Sequence, residues 1–389
     1  MRKKVLIIGV LLILSFILTQ AASAYAPVAY QVRPGDTLCG IAAYHGISCK
    51  AVIAENPQYV NPDLIHAGDW VYLSSGADIS QGHRNGFLTA MSDELEGQLS
   101  LMEDVRTYRV SGRIFYTGEF EGKPVVMAMS EVGMNNASIT TQALFSNFNT
   151  CPVFFSGIAG AGPEVEIGDV MIALGATQHD YGAFVDVAYP EGLGRDQVWS
   201  TWSETGVADT GSFDARLLTP DEEFYNLVWN AASQVQLPEV PQGVAEYLTR
   251  VRGEPVSVYR PKVIQGYIAS GNQFIWSWLT LEKIEKRLAN LTAELGLPQL
   301  PFAAEMEGYG FALAAETNGC HQWVIVRVMS DEARQPDITI GVPPATAEDP
   351  QALMDWMMAN GLGDTFANVG PVFGSIALVD RAIVRALPE

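Results

Sequence analysis

Apolar runs of strand length alternate with segments of helical pattern throughout residues 85–389, and this alternation restricts the chain to few folds. The clearest runs are Gly86 to Ala90, Val153 to Ser156, and a run rich in valine and isoleucine that ends in Ser330 and Asp331. A helix between two strands packs on the face of their sheet, so the pattern predicts a central sheet with helices on both faces. We therefore expect one large α/β domain here.

A smaller module precedes this domain, in residues 29–74. Its pattern predicts a strand, a helix, a second helix and a strand in that order, which is a βααβ unit. The first helix follows a tight turn that puts Asp36 or Thr37 at its N-cap, and the second extends from about Cys49 to Glu55. Residues 75–84 are small and polar without an apolar period, so we interpret them as the linker between the modules.

The N-terminus has the pattern of a secretory signal peptide. Residues 1–24 combine a cationic start, an apolar stretch from Val5 to Leu18, and small residues that suit cleavage after Ala24 or Ala26. The alternative is an uncleaved anchor helix, but the apolar stretch is shorter than the roughly 20 residues that span a bilayer. We expect the mature chain to be secreted or periplasmic.

The chain is strongly acidic, with a net charge of -21 from 44 acidic and 23 basic residues. Negative charge repels phosphate backbones and anionic lipid, so we exclude nucleic-acid polymers and membrane surfaces as partners. The five histidines have no metal-ligand spacing, and we expect neither a metal ion nor another cofactor.

Four cysteines follow the predicted signal peptide, and export would permit disulfide bonds. Cys39 and Cys49 lie in the small module, whereas Cys151 and Cys320 each precede an apolar run of the large domain. Four cysteines allow three pairings, and we predict pairing within each module. The alternative is four buried free thiols, because separation along the sequence does not establish bonding distance.

The small module resembles a LysM domain over its full length, since it has both the GDTL turn and the NPDLI…GDWV ending. The resemblance implies binding of a glycan that contains N-acetylglucosamine, such as peptidoglycan or chitin, in a shallow groove between two loops, and hence association with a cell wall. The alternative for each loop residue is that it only shapes a turn. The two loops carry these candidates: Gly35, Asp36, Thr37 and Leu38 in one, and Asn61, Pro62, Asp63, Leu64 and Ile65 in the other.

Three acidic clusters of the large domain stand at predicted strand ends or strand-to-helix junctions, where open α/β sheets place their ligands. Glu94 follows the first strand, Glu305 and Glu307 open an apolar helix, and Asp331 ends a strand. The alternative is that each carboxylate only stabilises a helix N-terminus, by roughly 0.3–1 kcal/mol. Their combination with two glycine-rich turns, SGIAGAG and IASGNQF, favours a site.

The ordered set TAMSDE, SEVG, SGIAGAG…IGDV, SGNQF, EME and RVMSD resembles the nucleoside phosphorylase and nucleosidase superfamily. Within it, the set is similar to the hydrolases of methylthioadenosine and S-adenosylhomocysteine. The resemblance implies a three-layer α/β/α domain with a mixed central sheet, a purine nucleoside as substrate, and a homodimer.

The resemblance also implies a role for each matching residue. Asp331 would protonate the departing purine nitrogen with Ser330 holding it, and Glu94 would activate a water molecule. Glu307 would accept hydrogen bonds from the ribose hydroxyls. The remaining substrate-binding candidates are Met306 against the sugar, Phe274 stacked on the base, and Glu305, Ile158, Ala159 and Gly160 in the pocket wall.

Water and phosphate are the two possible nucleophiles in this superfamily, and a phosphate site needs basic residues. None occurs in TAMSDE or VFFSGIAGAG, which favours hydrolysis, although Arg84 and Arg113 could supply positive charge. A phosphate-dependent phosphorylase and a non-catalytic nucleoside-binding or storage protein are the alternatives.

Three features depart from the pattern of the hydrolases. Ile158 stands where a serine is usual, Asn272 replaces the acid of SGDxF, and the stretch from Asp186 to Leu218 is long and contains Trp199 and Trp202. All three concern the expected pocket or its surroundings, so they leave the identity of the nucleoside open.

Overall fold

The computed structural model describes residues 28–189, 192–199, 217–333, 346, 349–359 and 363–388. The predicted signal peptide lies outside the described residues. The chain divides into two compact units. The first extends to Ala77 and includes Tyr108–Gly112, and the second comprises Asp78–Thr107 and the chain from Arg113 onward.

The first unit has the predicted βααβ order. Its elements are β1 (Ala29–Gln31), α1 (Leu38–Tyr44), α2 (Cys49–Glu55) and β2 (Trp70–Tyr72). The two strands pair antiparallel, with Tyr30 opposite Val71. Of the two predicted N-cap residues of α1, Asp36 and Thr37, the structure has Thr37. Its hydroxyl accepts a hydrogen bond from the Gly40 N–H. A disulfide joins Cys39 to Cys49, so the predicted pairing is confirmed.

The strands that follow in the chain are β3 (His83–Thr89), β4 (Glu103–Val110), β5 (Arg113–Phe120), β6 (Lys123–Met129), β7 (Asn149–Ala161), β8 (Val170–Gln178), β9 (Gly182–Tyr189), β10 (Gly192–Trp199), β11 (Val263–Ser270), β12 (Phe302–Glu305) and β13 (Trp323–Asp331). The helices are α3 (Ser92–Leu99), α4 (Met134–Asn147), α5 (Glu222–Ala232), α6 (Gln242–Arg252), α7 (Trp278–Glu294), α8 (Gly308–Thr317), α9 (Pro350–Met357), α10 (Gly363–Val369) and α11 (Ser375–Ala386).

The central sheet of the second unit is mixed, as expected. Its strand order from one edge is β12-β11-β8-β13-β7-β3-β6-β5. β3 and β13 both run parallel to β7, whereas β13 and β8 pair antiparallel, as do β5 and β6.

Two adjacent phenylalanines of β7 show why helices cover both faces of this sheet. Side chains of consecutive strand residues point to opposite faces. Phe154 meets Phe224 of α5 with ring centroids 5.9 Å apart, whereas Phe155 stacks on Phe311 of α8 at 5.3 Å. The predicted three-layer α/β/α architecture is therefore confirmed.

The glycine-rich segment SGIAGAG is not the turn that we predicted. β7 continues through it to Ala161, and Ile158 pairs with Val328 of β13. The glycines serve close packing instead. A Cβ on Gly157 would lie 2.5 Å from Nη1 of Arg327, and one on Gly160 would lie 2.6 Å from the Ala333 Cβ.

A second disulfide joins Cys151 to Cys320, which confirms the other predicted pair. The two cysteines are 169 residues apart in sequence and stand at the beginning of β7 and just before β13. The bridge therefore fastens two neighbouring strands at the ends opposite to their carboxyl termini.

The long stretch from Asp186 to Leu218 lies only in part within the described residues. β9 and β10 form a separate antiparallel pair, and Trp202 lies outside the described residues. In the part of the chain that the structure describes, no helix has both the length and the apolar character of a membrane span.

Candidate active site

A cavity of about 560 Å³ opens beside the carboxyl ends of β12 and β13 and the last residues of β7. All the residues that the sequence analysis assigned to the catalytic and substrate-binding positions line it. They are Glu94, Ile158, Ala159, Gly160, Phe274, Glu305, Met306, Glu307, Ser330 and Asp331. The fold therefore brings together side chains from five separate segments of the sequence.

Glu94 is held by backbone N–H groups on both carboxylate oxygens. It lies in the first turn of α3, where Oε2 accepts hydrogen bonds from the N–H groups of Ala90 at 2.8 Å and Met91 at 2.9 Å. Oε1 accepts one from Ile158 of β7 at 2.8 Å. Burial raises the pKa of the Glu94 carboxyl, although nearby Arg327 and these hydrogen bonds oppose the rise.

Arg327 is the first residue of the RVMSD motif, but no role was predicted for it. It lies in β13 and is wholly buried, with Nη2 2.5 Å from Glu305 Oε2 and 3.6 Å from Glu307 Oε2. Its guanidinium also lies 4.5 Å from the centroid of the Phe155 ring. A lone arginine inside the apolar run VIVRVM was the available signal, since a buried cation requires partners.

Glu305 uses both carboxylate oxygens within the protein. It ends β12 rather than opening the next helix, and it accepts hydrogen bonds from the Ser270 hydroxyl and from the Gly308 N–H at 2.8 Å. With the ion pair to Arg327, these contacts fix the turn into α8. Glu305 is thus placed to position its neighbours.

Glu307 is the N-cap residue of α8, and its Oε1 accepts a hydrogen bond from the Gly133 N–H at 2.8 Å. Burial and the negative charge of Glu305 raise its pKa to about 7, against the opposing effect of Arg327. Glu307 lines the cavity, and its other carboxylate oxygen, Oε2, lies 3.6 Å from Nη2 of Arg327.

Asp331 is a buried carboxyl at the end of β13. Its Oδ1 accepts a hydrogen bond from the Ala333 N–H at 2.7 Å, and the Ser330 hydroxyl donates to Oδ2 at 2.9 Å. Burial raises the pKa of the Asp331 carboxyl despite these two contacts. Asp331 lines the cavity, and its burial makes the protonated form more accessible than in an exposed aspartate.

The remaining wall of the cavity is apolar. Phe274 is 44% exposed, so its ring is available to a ligand. The α9 region contributes side chains that were not among the predicted site residues, although its apolar run ALMDWMM was a signal. They are Leu353, Met354, Met357 and Met358.

The segment before Phe274 is tied to the strand end of β8. The Asn272 N–H donates to Asp180 Oδ2 at 2.7 Å, and Gln178 Nε2 donates to Asp180 Oδ1 at 2.8 Å. The backbone at Asn272, where the sequence departs from the hydrolases, is therefore held by an acid that lies two residues after the end of β8.

Arg84 and Arg113 do not line the cavity. Arg84 Nε donates to the Ser80 carbonyl at 2.9 Å, and Arg113 donates to the Ser130 carbonyl and to Asn136 Oδ1, both at 2.7 Å. Their guanidinium groups hold backbone segments together.

In the candidate glycan loops of the first unit, some residues shape turns and another is exposed to solvent. Asp36 Oδ2 accepts hydrogen bonds from the Tyr30 hydroxyl at 2.7 Å and the Arg33 N–H at 2.8 Å, and Asn61 Oδ1 accepts one from the Asp63 N–H at 3.1 Å. These residues shape turns. Leu64, in contrast, is 60% exposed and has an apolar surface for a ligand.

Comparisons with known proteins match both units. Residues 84–358 match the model of the phosphorylase superfamily, and residues 30–72 match the model of the LysM domain. A 5′-methylthioadenosine/S-adenosylhomocysteine nucleosidase of Chromohalobacter salexigens is 24% identical over 279 residues, which is 70% of this chain and 95% of that protein. The corresponding nucleosidase of a Marinomonas species is 38% identical over 98 residues, which is 24% of this chain and only 42% of the relative.

Solved structures share the fold. The 5′-methylthioadenosine/S-adenosylhomocysteine nucleosidase of Neisseria meningitidis, in complex with methylthio-immucillin-A, superposes with a TM-score of 0.51 at 22% identity over 78% of this chain and 99% of that one. The enzyme of Streptococcus pneumoniae superposes with a TM-score of 0.51 at 22% identity over 78% of this chain and 100% of that one.

Proposed function

The chain belongs to the phosphorylase superfamily, and we propose on that premise that it hydrolyses the N-glycosidic bond of a purine nucleoside of the methylthioadenosine and S-adenosylhomocysteine class. The observation that carries the proposal is a single cavity lined by the acid Asp331 and by the carboxyl groups of Glu94 and Glu307. Cleavage of such a bond needs an acid at the leaving base and negative charge near the sugar.

Asp331 acts as the acid in this proposal. Because burial raises its pKa, the carboxyl keeps its proton closer to neutral pH than an exposed aspartate does. Transfer of this proton to a purine ring nitrogen lets the base leave as a neutral molecule. The Ser330 hydroxyl, 2.9 Å from Oδ2, holds the carboxyl in place and stabilises its charge after transfer.

Glu94 activates the attacking water in this proposal. Its raised pKa makes the carboxylate a stronger base than an exposed glutamate, and three backbone N–H groups fix its orientation. The water forms the new bond to the ribose carbon as the bond to the base breaks, and its proton passes to Glu94. Glu307 accepts hydrogen bonds from the ribose hydroxyls and stabilises the positive charge that develops on the sugar.

The charges around Arg327 support water over phosphate as the nucleophile. The carboxylates of Glu305 and Glu307 lie within 3.6 Å of this guanidinium, and Glu94 interacts with it as well. Glu305 pairs with this cation, and the described residues that line the cavity include no lysine or arginine that could bind a phosphate dianion. Both relatives described above are also named as nucleosidases.

Incubation with nucleosides tests the proposal. We expect the purified chain to release adenine from methylthioadenosine or S-adenosylhomocysteine at the same rate with and without phosphate, and chromatography of the base and sugar identifies the products. Release that requires phosphate and yields a sugar 1-phosphate would establish a phosphorylase instead. Nucleoside binding without base release would establish a binding or storage protein.

For the LysM unit we propose binding of a glycan that contains N-acetylglucosamine, by a chain that is exported through its signal peptide and retained at the cell wall. The match over residues 30–72 and the exposed Leu64 support this part. Sedimentation with insoluble peptidoglycan and chitin measures the binding, and Leu64→Asp should weaken it.

The mass of the protein recovered from the producing cells tests signal cleavage, and ultracentrifugation tests the expected homodimer.

A further inference from the structure

We infer that Asp380 is a positioning residue for the water-activating Glu94, through hydrogen bonds to Gln98 and Ser156. This inference rests on the proposed hydrolysis. Asp380 lies in α11, close to the C-terminal end of the chain, and its side chain is wholly buried. Asp380 is not among the residues that line the cavity.

The Asp380 carboxyl connects the two elements that hold Glu94. Oδ1 accepts a hydrogen bond from the Ser156 hydroxyl of β7 at 2.8 Å, and Oδ2 contacts the Gln98 side-chain amide of α3. Gln98 follows Glu94 by four residues, so the two side chains occupy the same side of α3. Ser156 precedes Ile158, the donor to Glu94 Oε1, by two residues.

The fit between α3 and β7 leaves little tolerance at Glu94. Between Ser156 and Ile158 stands Gly157, where an added Cβ would lie only 2.6 Å from Glu94 Oε1. A shift of α3 along β7 by about 1 Å therefore either lengthens the hydrogen bond from Ile158 or forces the carboxylate into the strand. Misplacement of a catalytic group by about 1 Å can cost roughly 100-fold in rate.

A carboxyl group is an unfavourable choice for packing alone at this position. The neighbours of Asp380 on α11 include Ile376, Val379 and Ile383, which belong to the apolar core between α11 and the sheet. A buried polar group costs free energy unless it is hydrogen-bonded. An apolar side chain would fill the same space without that cost, so the two specific hydrogen bonds explain why an acid is present.

The Gln98 side-chain amide can keep its hydrogen bond to Asp380 when the Asp380 carboxyl is uncharged. Gln98 Oε1 is buried and accepts no hydrogen bond from the described part of the chain. Rotation of the amide presents this oxygen to Asp380, so a protonated carboxyl, or an asparagine at the same position, can donate to it. Burial raises the pKa of the Asp380 carboxyl to about 7, which is consistent with a neutral form.

Steady-state kinetics of the full chain with methylthioadenosine test the inference. We expect Asp380→Leu to lower kcat at least about tenfold and to leave KM within about twofold, because the shifted group acts on the water and not on the bound nucleoside. Asp380→Asn should restore kcat to within about threefold of the wild type. Ile383→Val, a conservative change in the same helix, is the control and should leave kcat unchanged. A wild-type kcat in Asp380→Leu, or an equal loss in Asp380→Asn, overturns the inference.

Two further measurements keep the test decisive. If Asp380→Leu does not fold, Ser156→Ala replaces it as the test, because this change removes one hydrogen bond to Asp380 without altering α11. We expect Ser156→Ala to lower kcat by about threefold, and an unchanged kcat overturns the inference. If the wild-type chain releases no base, the proposed hydrolysis is wrong. Hydrogen exchange of the Ile158 amide then tests whether Asp380 stabilises the contact between Ile158 and Glu94. Faster exchange of the Ile158 amide in Asp380→Leu than in Ile383→Val supports the inference, and equal exchange overturns it.

Discussion

Arg327 and Glu305 form an ion pair that is closed to solvent, with Nη2 2.5 Å from Oε2 and side chains that are 0% and 2% exposed. The same guanidinium interacts with Glu307 and Glu94. Arg327 is the only cation in this set of four groups, so it balances charge for the carboxylates on the proposed nucleophile side of the cavity.

Replacement of Arg327 should be strongly destabilising. Arg327→Met leaves buried carboxylates without their cation, and removal of one partner of a buried pair typically costs about 3–5 kcal/mol. Urea denaturation measures the loss. Arg260→Met is the matched control, because the ion pair of Arg260 with Glu239 lies at the surface and its loss should cost less than about 1 kcal/mol. Equal losses in the two variants would show that the buried charges are not balanced by Arg327.

Asp331→Asn and Glu94→Gln should each remove proton transfer while the shape of the cavity is kept. A positioned acid or base contributes about a hundredfold to ten-thousandfold, so we expect kcat to fall by that range in each variant. The release of adenine from methylthioadenosine over time measures kcat, and circular dichroism checks that the variants fold. An unchanged rate in either variant would mean that the corresponding carboxyl is not catalytic.

Gly157 should tolerate no side chain. In Gly157→Ala the new Cβ would lie 2.5 Å from Arg327 Nη1 and 2.6 Å from Glu94 Oε1, so one of these groups must move. We expect a loss of kcat of about 100-fold, measured by adenine release. Gly97→Ala is the control in α3, where an added Cβ meets nothing within 4 Å, and it should stabilise the chain by about 0.5–1 kcal/mol. Equal activity in the two variants would contradict the close approach.

Asp380 should make the stability of the chain fall as the pH rises. Its pKa is about 7 in the folded chain and about 4 when unfolded, so between these values the folded state binds more protons. The stability from this group is complete below about pH 4 and is lost as the pH rises towards 7, with a slope of at most about 1.4 kcal/mol per pH unit. The residues that contact the carboxyl, Ser156 and Gln98, carry no charge.

Asp380→Asn isolates this contribution, because asparagine does not titrate. Urea denaturation at pH 5 and pH 8 gives the free energy of unfolding of the variant relative to the wild type. We expect the variant to gain relative stability from pH 5 to pH 8. A difference that is independent of pH would show that the Asp380 carboxyl has an ordinary pKa.

Sequence reasoning located the carboxyl groups of the site because each follows a recognisable local signal. Glu94 comes after an apolar strand and opens a helix, and Asp331 ends a run of valine and isoleucine. β3 and β13 both run parallel to β7, so Glu94 and Asp331 lie at one edge of the sheet, whereas the roles of the carboxyl groups were predicted from the family resemblance.

The groups that sequence reasoning missed act through distant contacts. Arg327 points from the middle of a buried strand to Glu305, and Asp380 reaches α3 across 282 positions of the sequence. The lone arginine in the apolar run VIVRVM indicated a buried cation but not its partner, and no local pattern connected Asp380 with α3. The turn predicted at SGIAGAG was wrong for a related reason, because Gly157 and Gly160 meet the demands of neighbouring side chains and not those of the backbone.

The opposite orientations of Phe154 and Phe155 have a consequence for the length of β7. A strand alternates its side chains with a period of two, so one inserted residue before Phe154 would exchange every later side chain between the two helical layers. Phe154 would then face α8, and Ser156 would turn away from α11. Functional proteins that descend from this chain should therefore have no single-residue insertion or deletion in β7. The loops of the same domain, in contrast, can change length.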